Sequence, residues 1–215
     1  MDLALKDKII IVSGGAKGIG EGITNVLALE GAIPIIIGRS EEDNLALVKL
    51  IQKQGYQADQ VVAELTEPAA CENAIKQIVT KFGKIDGLVN NAGENDSVGL
   101  ENGNYDLFMK SLHKNLIHYY LLAHYALPYL KISKGCIVNI NSKTAETGQG
   151  GTSAYAAANG GRNALTREWA VELLTYGIRV NAVVVAECYT PLYEKWLQAL
   201  PQPEEKLTTI KKRIP

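Results

Sequence analysis

The chain has 215 residues and a formal net charge of −1, with 47% hydrophobic and 21% charged residues. This composition is typical of a soluble globular protein and supplies enough apolar residues for one α/β domain with a sizeable core. The balanced charge gives no indication of a nucleic-acid partner, and the longest apolar stretches are strand-sized, too short to span a bilayer.

Apolar, β-branched runs alternate with longer segments of helical periodicity along the chain. The runs lie near residues 8–13, 33–38, 60–65, 85–91, 135–142 and 178–185, and the helical segments near 18–31, 41–55, 68–82, 105–130 and 152–176. This alternation predicts an α/β fold: a Rossmann-like, doubly wound parallel sheet flanked by helices. No linker or internal repeat interrupts it, so residues 1–215 are predicted to form a single dinucleotide-binding and catalytic domain.

The end of the chain does not continue this alternation. After the sixth predicted strand comes a polar and aromatic segment over residues 187–212. A doubly wound sheet usually finishes on a strand. We therefore expect a domain that lacks its last strand and is truncated at its C-terminus.

A glycine-rich turn, SGGAKGIG from Ser13 to Gly20, joins the first strand to the first helix. At such a junction glycines let the backbone approach a pyrophosphate, and the helix N-terminus offers free amide donors. The turn therefore predicts a dinucleotide site that includes Gly14, Gly18, Ile19 and Gly20.

The second strand indicates which dinucleotide is bound. It ends on Arg39, where an acidic residue would bind a ribose 2′-hydroxyl, and Lys17 lies in the glycine turn. Guanidinium and ammonium groups match a 2′-phosphate. NADP is favoured over NAD, and the alternative is that both side chains are solvated surface cations.

Cysteine and histidine residues give no indication of a metal site. Cys71, Cys136 and Cys188 are far apart and match no ligand spacing, as expected of thiols in a reducing cytoplasm. The three histidines, His113, His118 and His124, do not share one helix face and are predicted to be structural or interface residues. The N-terminus lacks the apolar region and cleavage site of a signal peptide, so a cytoplasmic location is predicted.

Several motifs lie at spacings that are specific when they occur together. They are Gly14-x3-Gly18-Ile19-Gly20, Asn90-Asn91-Ala92-Gly93, Asn115 on the long helix, Ser142 at the end of the fifth strand, and Tyr155 on the next helix. On these residues the chain resembles the short-chain dehydrogenase/reductase family over nearly all of its length. The segments VNINSKTAETGQGGTSAYAA, LTREWAVEL and VVAECYTPLYEKW are similar to its sugar-oxidising branch, typified by bacterial L-fucose dehydrogenases.

The resemblance implies hydride transfer between a nicotinamide cofactor and an alcohol, with Tyr155 as base and Ser142 holding the reacting oxygen. The implied catalytic residues are Asn115, Ser142, Tyr155 and Asn159. With Lys17 and Arg39, the candidate cofactor-binding residues are Gly14, Gly18, Ile19, Gly20, Glu64, Leu65, Asn91, Ala92, Gly93, Tyr155, Asn159 and Thr190. Glu64 and Leu65 are expected to flank the adenine, and Thr190 to contact the nicotinamide carboxamide.

Three features depart from the family: Val185-Ala186 replaces the usual Pro-Gly after the sixth strand, the chain stops where the family continues through a helix and a seventh strand, and Asn159 replaces the catalytic lysine. Asn159 lies one helical turn after Tyr155. Free tyrosine titrates near 10, and a cation at i+4 favours the phenolate that acts as base. Asparagine can keep the hydrogen bonds to the nicotinamide ribose but carries no charge. We therefore expect alcohol oxidation to be displaced to alkaline pH and Asn159→Lys to raise turnover. The alternative is a catalytically impaired nucleotide-binding relative with a sensing or scaffolding role.

Polar and aromatic residues follow the carboxyl ends of the fifth and sixth strands, where ligands of doubly wound sheets bind. The candidate substrate residues are Glu146, Gln149, Glu187, Tyr193 and Trp196. Carboxylates accept hydrogen bonds from vicinal hydroxyls, and aromatic rings cover the apolar face of a sugar. The set predicts a sugar or small polyol as substrate. Solvated loop residues are the alternative, as is a reductase or dehydratase acting on another hydroxylated substrate.

The helix at 152–176 is rich in small residues, among them Ala154, Ala158, Gly161 and Ala164. Small side chains allow helices to approach closely, and in the family the two long helices form the subunit face. A homodimer or homotetramer is predicted, and close packing within one monomer is the alternative.

Overall fold

Six parallel strands form one sheet in the computed structural model, which describes residues 1–212. Strands β1 to β6 are Ile9–Ser13, Ile33–Gly38, Asp59–Val62, Gly87–Asn90, Cys136–Ser142 and Arg179–Val185. Their order across the sheet is β3-β2-β1-β4-β5-β6. Successive strands run outward on both sides of β1 and β4, so the predicted doubly wound sheet is confirmed. Its switch point places a crevice at the carboxyl ends of β1 and β4.

Eight α-helices cover the two faces of the sheet and follow its last described strand. Helices α1 to α8 are Gly18–Leu29, Glu41–Lys53, Pro68–Phe82, Tyr105–Leu112, His118–Ser133, Ser153–Glu172, Pro191–Gln198 and Pro203–Lys211. Helices α3, α5 and α6 pack on one face, and α1 and α2 on the other. In the described part of the chain no helix is long and apolar enough to cross a membrane.

The core lies on both faces of the central strand β1, because successive side chains of a strand point to opposite faces. Ile9 and Ile11 pack towards α3 and α5, whereas Ile10 and Val12 pack towards α1. Every residue of β1 is buried. Full burial of one such aliphatic side chain contributes about 1.5–3 kcal/mol. The strand that carries the glycine turn is therefore anchored from two sides.

The structure differs from the sequence prediction along the fourth helical segment. Residues 105–130 were predicted as one helix, but α4 and α5 are joined by a π-helical segment over His113–Ile117. A π turn inserts one residue into the helical ladder without changing its polar or apolar character, so periodicity does not detect it. The extra residue re-aims the side chains of the segment, and Asn115 is one of them.

The structure also describes the segment that follows β6 and the helix α6, which is rich in small residues. The segment predicted only as polar and aromatic contains α7 and α8, and within residues 1–212 no strand follows β6. Ala154 and Ala158 are fully buried inside the monomer, and a Cβ added at Gly161 would lie 2.9 Å from Leu116. Part of the small-residue stripe is thus explained by packing within one chain. The homo-oligomer stays a prediction.

Candidate active site

The glycine turn has the geometry that a pyrophosphate site needs. Gly14 has a φ of +62°, and its amide donates to the carbonyl of Ile37 at 2.8 Å. A Cβ at Gly20 would lie 2.1 Å from the carbonyl oxygen of Gly14, so only glycine fits there. Lys17, at the N-cap of α1, makes no side-chain capping bond. The first amides of α1, from Gly18 onward, are therefore free to bind an anion.

The turn after β4 is fastened to the glycine turn by a pair of residues. The Ser13 hydroxyl accepts from the amides of Asn91 at 2.9 Å and Ala92 at 3.1 Å. In return, the Asn91 side-chain amide donates to the carbonyls of Ser13 at 3.0 Å and Gly14 at 3.1 Å. Asn91 and Ala92 are predicted from the sequence as cofactor-binding residues, whereas Ser13 is not. The polar end of an otherwise apolar strand was its only signal.

Thr190 lies directly above the glycine turn. A Cβ at Gly18 would come within 3.3 Å of the Cβ of Thr190, and the Thr190 hydroxyl caps α7 by accepting from the amide of Tyr193 at 3.2 Å. The cap fixes the start of α7, so the segment after β6 borders the crevice. This position is compatible with the predicted contact to a nicotinamide.

Two of the candidate cofactor residues are cations: Arg39 directly follows β2, and Lys17 lies in the glycine turn. Arg39 is exposed, and Lys17 is paired with Asp43 of α2 at 2.6 Å. The ammonium of Lys17 therefore already has a carboxylate partner. Across the crevice, the hydrogen bond from Lys114 holds the pKa of Glu94 below its ordinary value, and the charge of Arg39 adds to this effect.

The two predicted adenine neighbours are placed differently. The carboxylate of Glu64 is exposed and accepts from the amide and hydroxyl of Thr66 at 3.1 and 3.0 Å. Leu65 is buried in the main core, and its carbonyl accepts from the thiol of Cys71. Leu65 can therefore offer only backbone atoms to an adenine.

Asn115 is buried in the π-helical segment, and both ends of its side-chain amide and its backbone carbonyl form hydrogen bonds. Its side-chain oxygen accepts from the amide of Glu94 at 2.9 Å, and its side-chain nitrogen donates to the hydroxyl of Ser111 at 3.4 Å. Its backbone carbonyl, which the π turn releases from the regular ladder, accepts from Nε of Arg162 at 2.5 Å. Asn115 thus holds the turn after β4 and contacts α6 at the same time.

Ser142 and Tyr155 come from adjacent elements. Ser142 is the last residue of β5, and its hydroxyl accepts from the amide of Thr144 at 3.3 Å. Tyr155 is half-buried in the first turn of α6. Helix α6 is fixed to the end of β5 by a hydrogen bond from the Asn141 side chain to that of Asn163. This bond holds the middle of α6 against the carboxyl end of β5.

Asn159 is fully buried and engaged at both ends of its amide. Its nitrogen donates to the carbonyl of Tyr155 at 2.9 Å, and its oxygen accepts from Nη1 of Arg162 at 3.1 Å. Arg162 is not among the site residues predicted from the sequence. Its signal is a lone charged residue on the same helix face as Tyr155 and Asn159, among residues that are mostly small and apolar.

The candidate substrate residues after β6 form one connected cluster. Glu187 is hydrogen-bonded to the ammonium of Lys143 and accepts from the Tyr193 hydroxyl at 3.0 Å. Burial, together with this bond and the charge of Glu187, raises the pKa of Tyr193 to about 12. Tyr193 packs edge-on against Trp196, with ring centroids 5.2 Å apart. A carboxylate, a phenol and an indole therefore share one wall.

The two candidate substrate residues after β5 are less closely bound together. Glu146 accepts from the side chain of Asn163 at 2.5 Å, which ties it to α6. Gln149 lies in the exposed turn that precedes α6. Of the two, only Glu146 is thereby held against the middle of α6.

Comparison with known proteins gives this site a family. The profile of the short chain dehydrogenase family matches residues 8–200. The chain belongs to the short-chain dehydrogenase family. The relatives of this dehydrogenase include an L-fucose dehydrogenase of Bos taurus, 30% identical over 91% of this chain and 72% of the relative. The 3-oxoacyl-[acyl-carrier-protein] reductase FabG of Thermotoga maritima is 33% identical over 99% of this chain and 85% of the relative.

Among solved structures, the Cj0485 dehydrogenase superposes with a TM-score of 0.93 and 45% identity, covering 100% of this chain and 82% of that one. The fold and the family therefore identify a dehydrogenase that uses NAD or NADP. The free amides of α1 and the Cβ-free surface at Gly14 and Gly20 fit a dinucleotide pyrophosphate. Within residues 1–212, no group of three or more His, Cys, Asp or Glu side chains could hold a metal ion.

Proposed function

We propose that this dehydrogenase oxidises a hydroxyl of a sugar or small polyol, in the manner of an L-fucose dehydrogenase. The observation that carries the proposal is the cluster of Glu187, Tyr193 and Trp196, which follows the strand next to the one that ends in Ser142. A carboxylate with a free oxygen lone pair binds vicinal hydroxyls, and the aromatic rings cover the apolar face of a pyranose. An acyl-chain pocket would need apolar side chains at these positions.

The proposed reaction uses Tyr155 as the proton acceptor. Ser142 donates a hydrogen bond to the substrate oxygen and holds it against the Tyr155 phenolate. The hydroxyl proton passes to Tyr155, and the alcohol carbon becomes a carbonyl carbon. Bound NAD or NADP supplies the acceptor for the hydride that leaves this carbon. Tyr155 then returns the proton to solvent. One alcohol and one oxidised cofactor thus give one carbonyl compound, one reduced cofactor and one proton.

The substrate class is tested by following cofactor reduction with a panel of aldoses and polyols from about pH 7 to about pH 10, which is the ordinary pKa of a tyrosine. Turnover with aldoses and none with simple long-chain alcohols is the expected result. Cofactor binding without turnover of any alcohol would favour the sensing alternative. Turnover of 3-oxoacyl thioesters in the reductive direction alone would place the chain with the acyl reductases.

For the cofactor we propose NADP, because the exposed Arg39 directly follows β2, where its guanidinium can bind a 2′-phosphate. Replacing Arg39 with alanine is expected to weaken NADP binding by at least about tenfold, through loss of roughly 1.5–3 kcal/mol from a charged hydrogen bond. NAD binding should change little. Titration of both cofactors by fluorescence measures this, with Arg167→Ala on exposed α6 surface as the matched control. An equal loss for both cofactors would contradict the proposal.

A further inference from the structure

The uncharged Asn159 lies beside a buried cation. Arg162 is 3% exposed, and its guanidinium donates to the carbonyls of Asn115 and Ile140 and to the side-chain oxygen of Asn159. It forms no ion pair within residues 1–212. Arginine does not lose its proton in proteins, and burying a charge without an acid is costly. The fold therefore keeps a net positive charge at this point.

One donor of this cation is not used by the protein. Nη2 of Arg162 is buried and has no hydrogen-bond partner in the described structure. A Cβ added at Gly93 would lie 2.8 Å from this nitrogen and 2.7 Å from the side-chain oxygen of Asn115. Gly93 closes the turn after β4 that is fastened to the glycine turn. The free donor therefore lies directly beneath the crevice.

Helix geometry brings the charge towards Tyr155. Tyr155, Asn159 and Arg162 are at i, i+4 and i+7, which lie on one face of α6. Long helical side chains point towards the helix N-terminus, and Arg162 reaches back to the side chain of Asn159 at 3.1 Å. Asn159 in turn donates to the Tyr155 carbonyl at 2.9 Å. The cation is therefore linked through one side chain to the backbone carbonyl of Tyr155.

The Arg162 guanidinium also contacts the ring of Tyr119 in α5. The Cζ atom of Arg162 lies 4.1 Å from the centre of the Tyr119 ring. Burial raises the pKa of Tyr119 to about 12, which the charge of Arg162 opposes and the nearby phenol of Tyr155 reinforces. The Arg162 guanidinium therefore lies against a buried ring, in a medium of low dielectric constant where charges interact strongly.

We propose that Arg162 is a positioning residue of the active site, whose buried guanidinium supplies from i+7 the positive charge that the family's lysine supplies from i+4. The inference rests on the proposed role of Tyr155 as base. Arg162 neither gains nor loses a proton. Its charge lowers the free energy of the Tyr155 phenolate, and its hydrogen bond orients Asn159 towards the first turn of α6. The expectation that Asn159→Lys alone raises turnover did not take this charge into account.

The other charged and titratable groups around the cluster do not provide this charge. They are His118 and Tyr119 of α5, Lys114 of the π-helical segment, and Lys143 and Glu187 at the ends of β5 and β6. Burial lowers the pKa of His118 to about 3, so it is neutral in the working pH range. Lys114 is paired with Glu94 and Asp96, and Lys143 with Glu187. Among the cations of this cluster, Arg162 is therefore the one that is not paired with a carboxylate within residues 1–212.

The test is a titration of Tyr155 in the full chain with NADP bound. Tyrosinate absorbance is followed against pH, and the same curve for Tyr155→Phe is subtracted. Arg162→Gln keeps a donor for the Asn115 carbonyl but removes the charge, and leaves no partner carboxylate unpaired, so we expect it to fold. Its Tyr155 midpoint should move by about one unit towards alkaline pH, and kcat at pH 7 should fall about tenfold, with KM changed little.

The charge-keeping variants complete the test. In Arg162→Gln, the additional change Asn159→Lys should restore the midpoint, whereas Asn159→Lys alone should move it little because a second cation must enter beside the first. Arg167→Gln on the exposed side of α6 is the matched control. An unchanged midpoint in Arg162→Gln would overturn the proposal. If Arg162→Gln does not fold, a large acid shift in Asn159→Lys alone overturns it and a small one bears it out.

The absorbance readout needs no substrate. A wild-type protein that turns over none of the alcohols would therefore count against sugar oxidation and leave the role of Arg162 to be decided by the titration.

Discussion

Glu187 is the residue on which recognition of the substrate depends in the proposed reaction. One carboxylate oxygen is bonded to Lys143, and the other accepts from Tyr193 at 3.0 Å. These bonds fix the carboxylate at the carboxyl end of β6, with lone pairs left for hydroxyl groups of a ligand. The side chain is 26% exposed, so a ligand can reach it without rearrangement of the wall.

Replacing Glu187 with glutamine is expected to raise KM for the sugar about tenfold, with a smaller effect on kcat. Hydrogen bonds to a charged group contribute roughly 1.5–3 kcal/mol, and about 1.4 kcal/mol corresponds to a factor of ten. Steady-state kinetics at saturating cofactor measures the change. Glu194→Gln, on the exposed side of α7, should leave KM unaltered. A fall in kcat at constant KM would mean that Glu187 acts on the chemistry and not on binding.

At the scale of single residues, the sequence predicts well which residues occupy the family's site positions, but it predicts poorly which side chains are buried around them. Asn159 was recognised as an uncharged residue at a position where the family has a lysine, since that follows from its spacing to Tyr155. That a second residue on the same face is buried beside it could not be predicted, because a charged residue on a helix is exposed in most proteins. Burial of Arg162 depends on α5 and on the turn after β4, which are distant in sequence.

The elements α4 and α5 position Asn115, and the start of α4 is set by its cap. The side-chain oxygen of Asn104 accepts from the amide of Leu107 at 2.9 Å. An asparagine N-cap satisfies one of the amides that a helix leaves free at its start. The helical start near 105 was predicted correctly, whereas the π turn was not, because the cap is a local signal and the π turn depends on packing against α6.

Substituting alanine for Asn104 is expected to lower the free energy of unfolding by about 1 kcal/mol, the usual contribution of such a cap. Urea unfolding followed by circular dichroism measures it. Asn104→Asp retains an acceptor and adds a favourable charge at the helix N-terminus, so its stability should match the wild type. If both variants lose the same amount, the cap does not account for the effect.

At the scale of the whole molecule, the doubly wound sheet could be predicted from six apolar runs, the glycine turn and their alternation with helices. The ends of the strands are predicted less accurately. The third apolar run predicts a strand near residues 60–65, but β3 ends at Val62. Ala63 and Leu65 are apolar because they are buried in the core beyond the sheet, and composition does not separate the two reasons.

The pH dependence of global stability is predicted to arise in part from His118. The side chain is 1% exposed, and burial lowers its pKa to about 3, with the charge of Arg162 adding to the effect and the hydrogen bond to the Lys114 carbonyl opposing it. In the unfolded chain a histidine titrates near 6.5. Between about pH 6.5 and about pH 3 the unfolded state therefore binds one more proton than the native state. As the pH is lowered through this range, the free energy of unfolding decreases by up to about 1.4 kcal/mol per pH unit.

Replacing His118 with glutamine should remove this dependence. At pH 7.5 the variant is expected to be about 1–2 kcal/mol less stable than the wild type, because a buried hydrogen bond is altered. At pH 5 that difference should shrink by about 2 kcal/mol, since only the wild type has lost stability to protonation of the unfolded chain. Urea unfolding at the two pH values measures both quantities. His124→Gln, exposed on the same helix, should follow the wild type at each pH. An identical pH slope in wild type and His118→Gln would mean that the buried imidazole takes up its proton in the native state, and the cation beside it would then have to move.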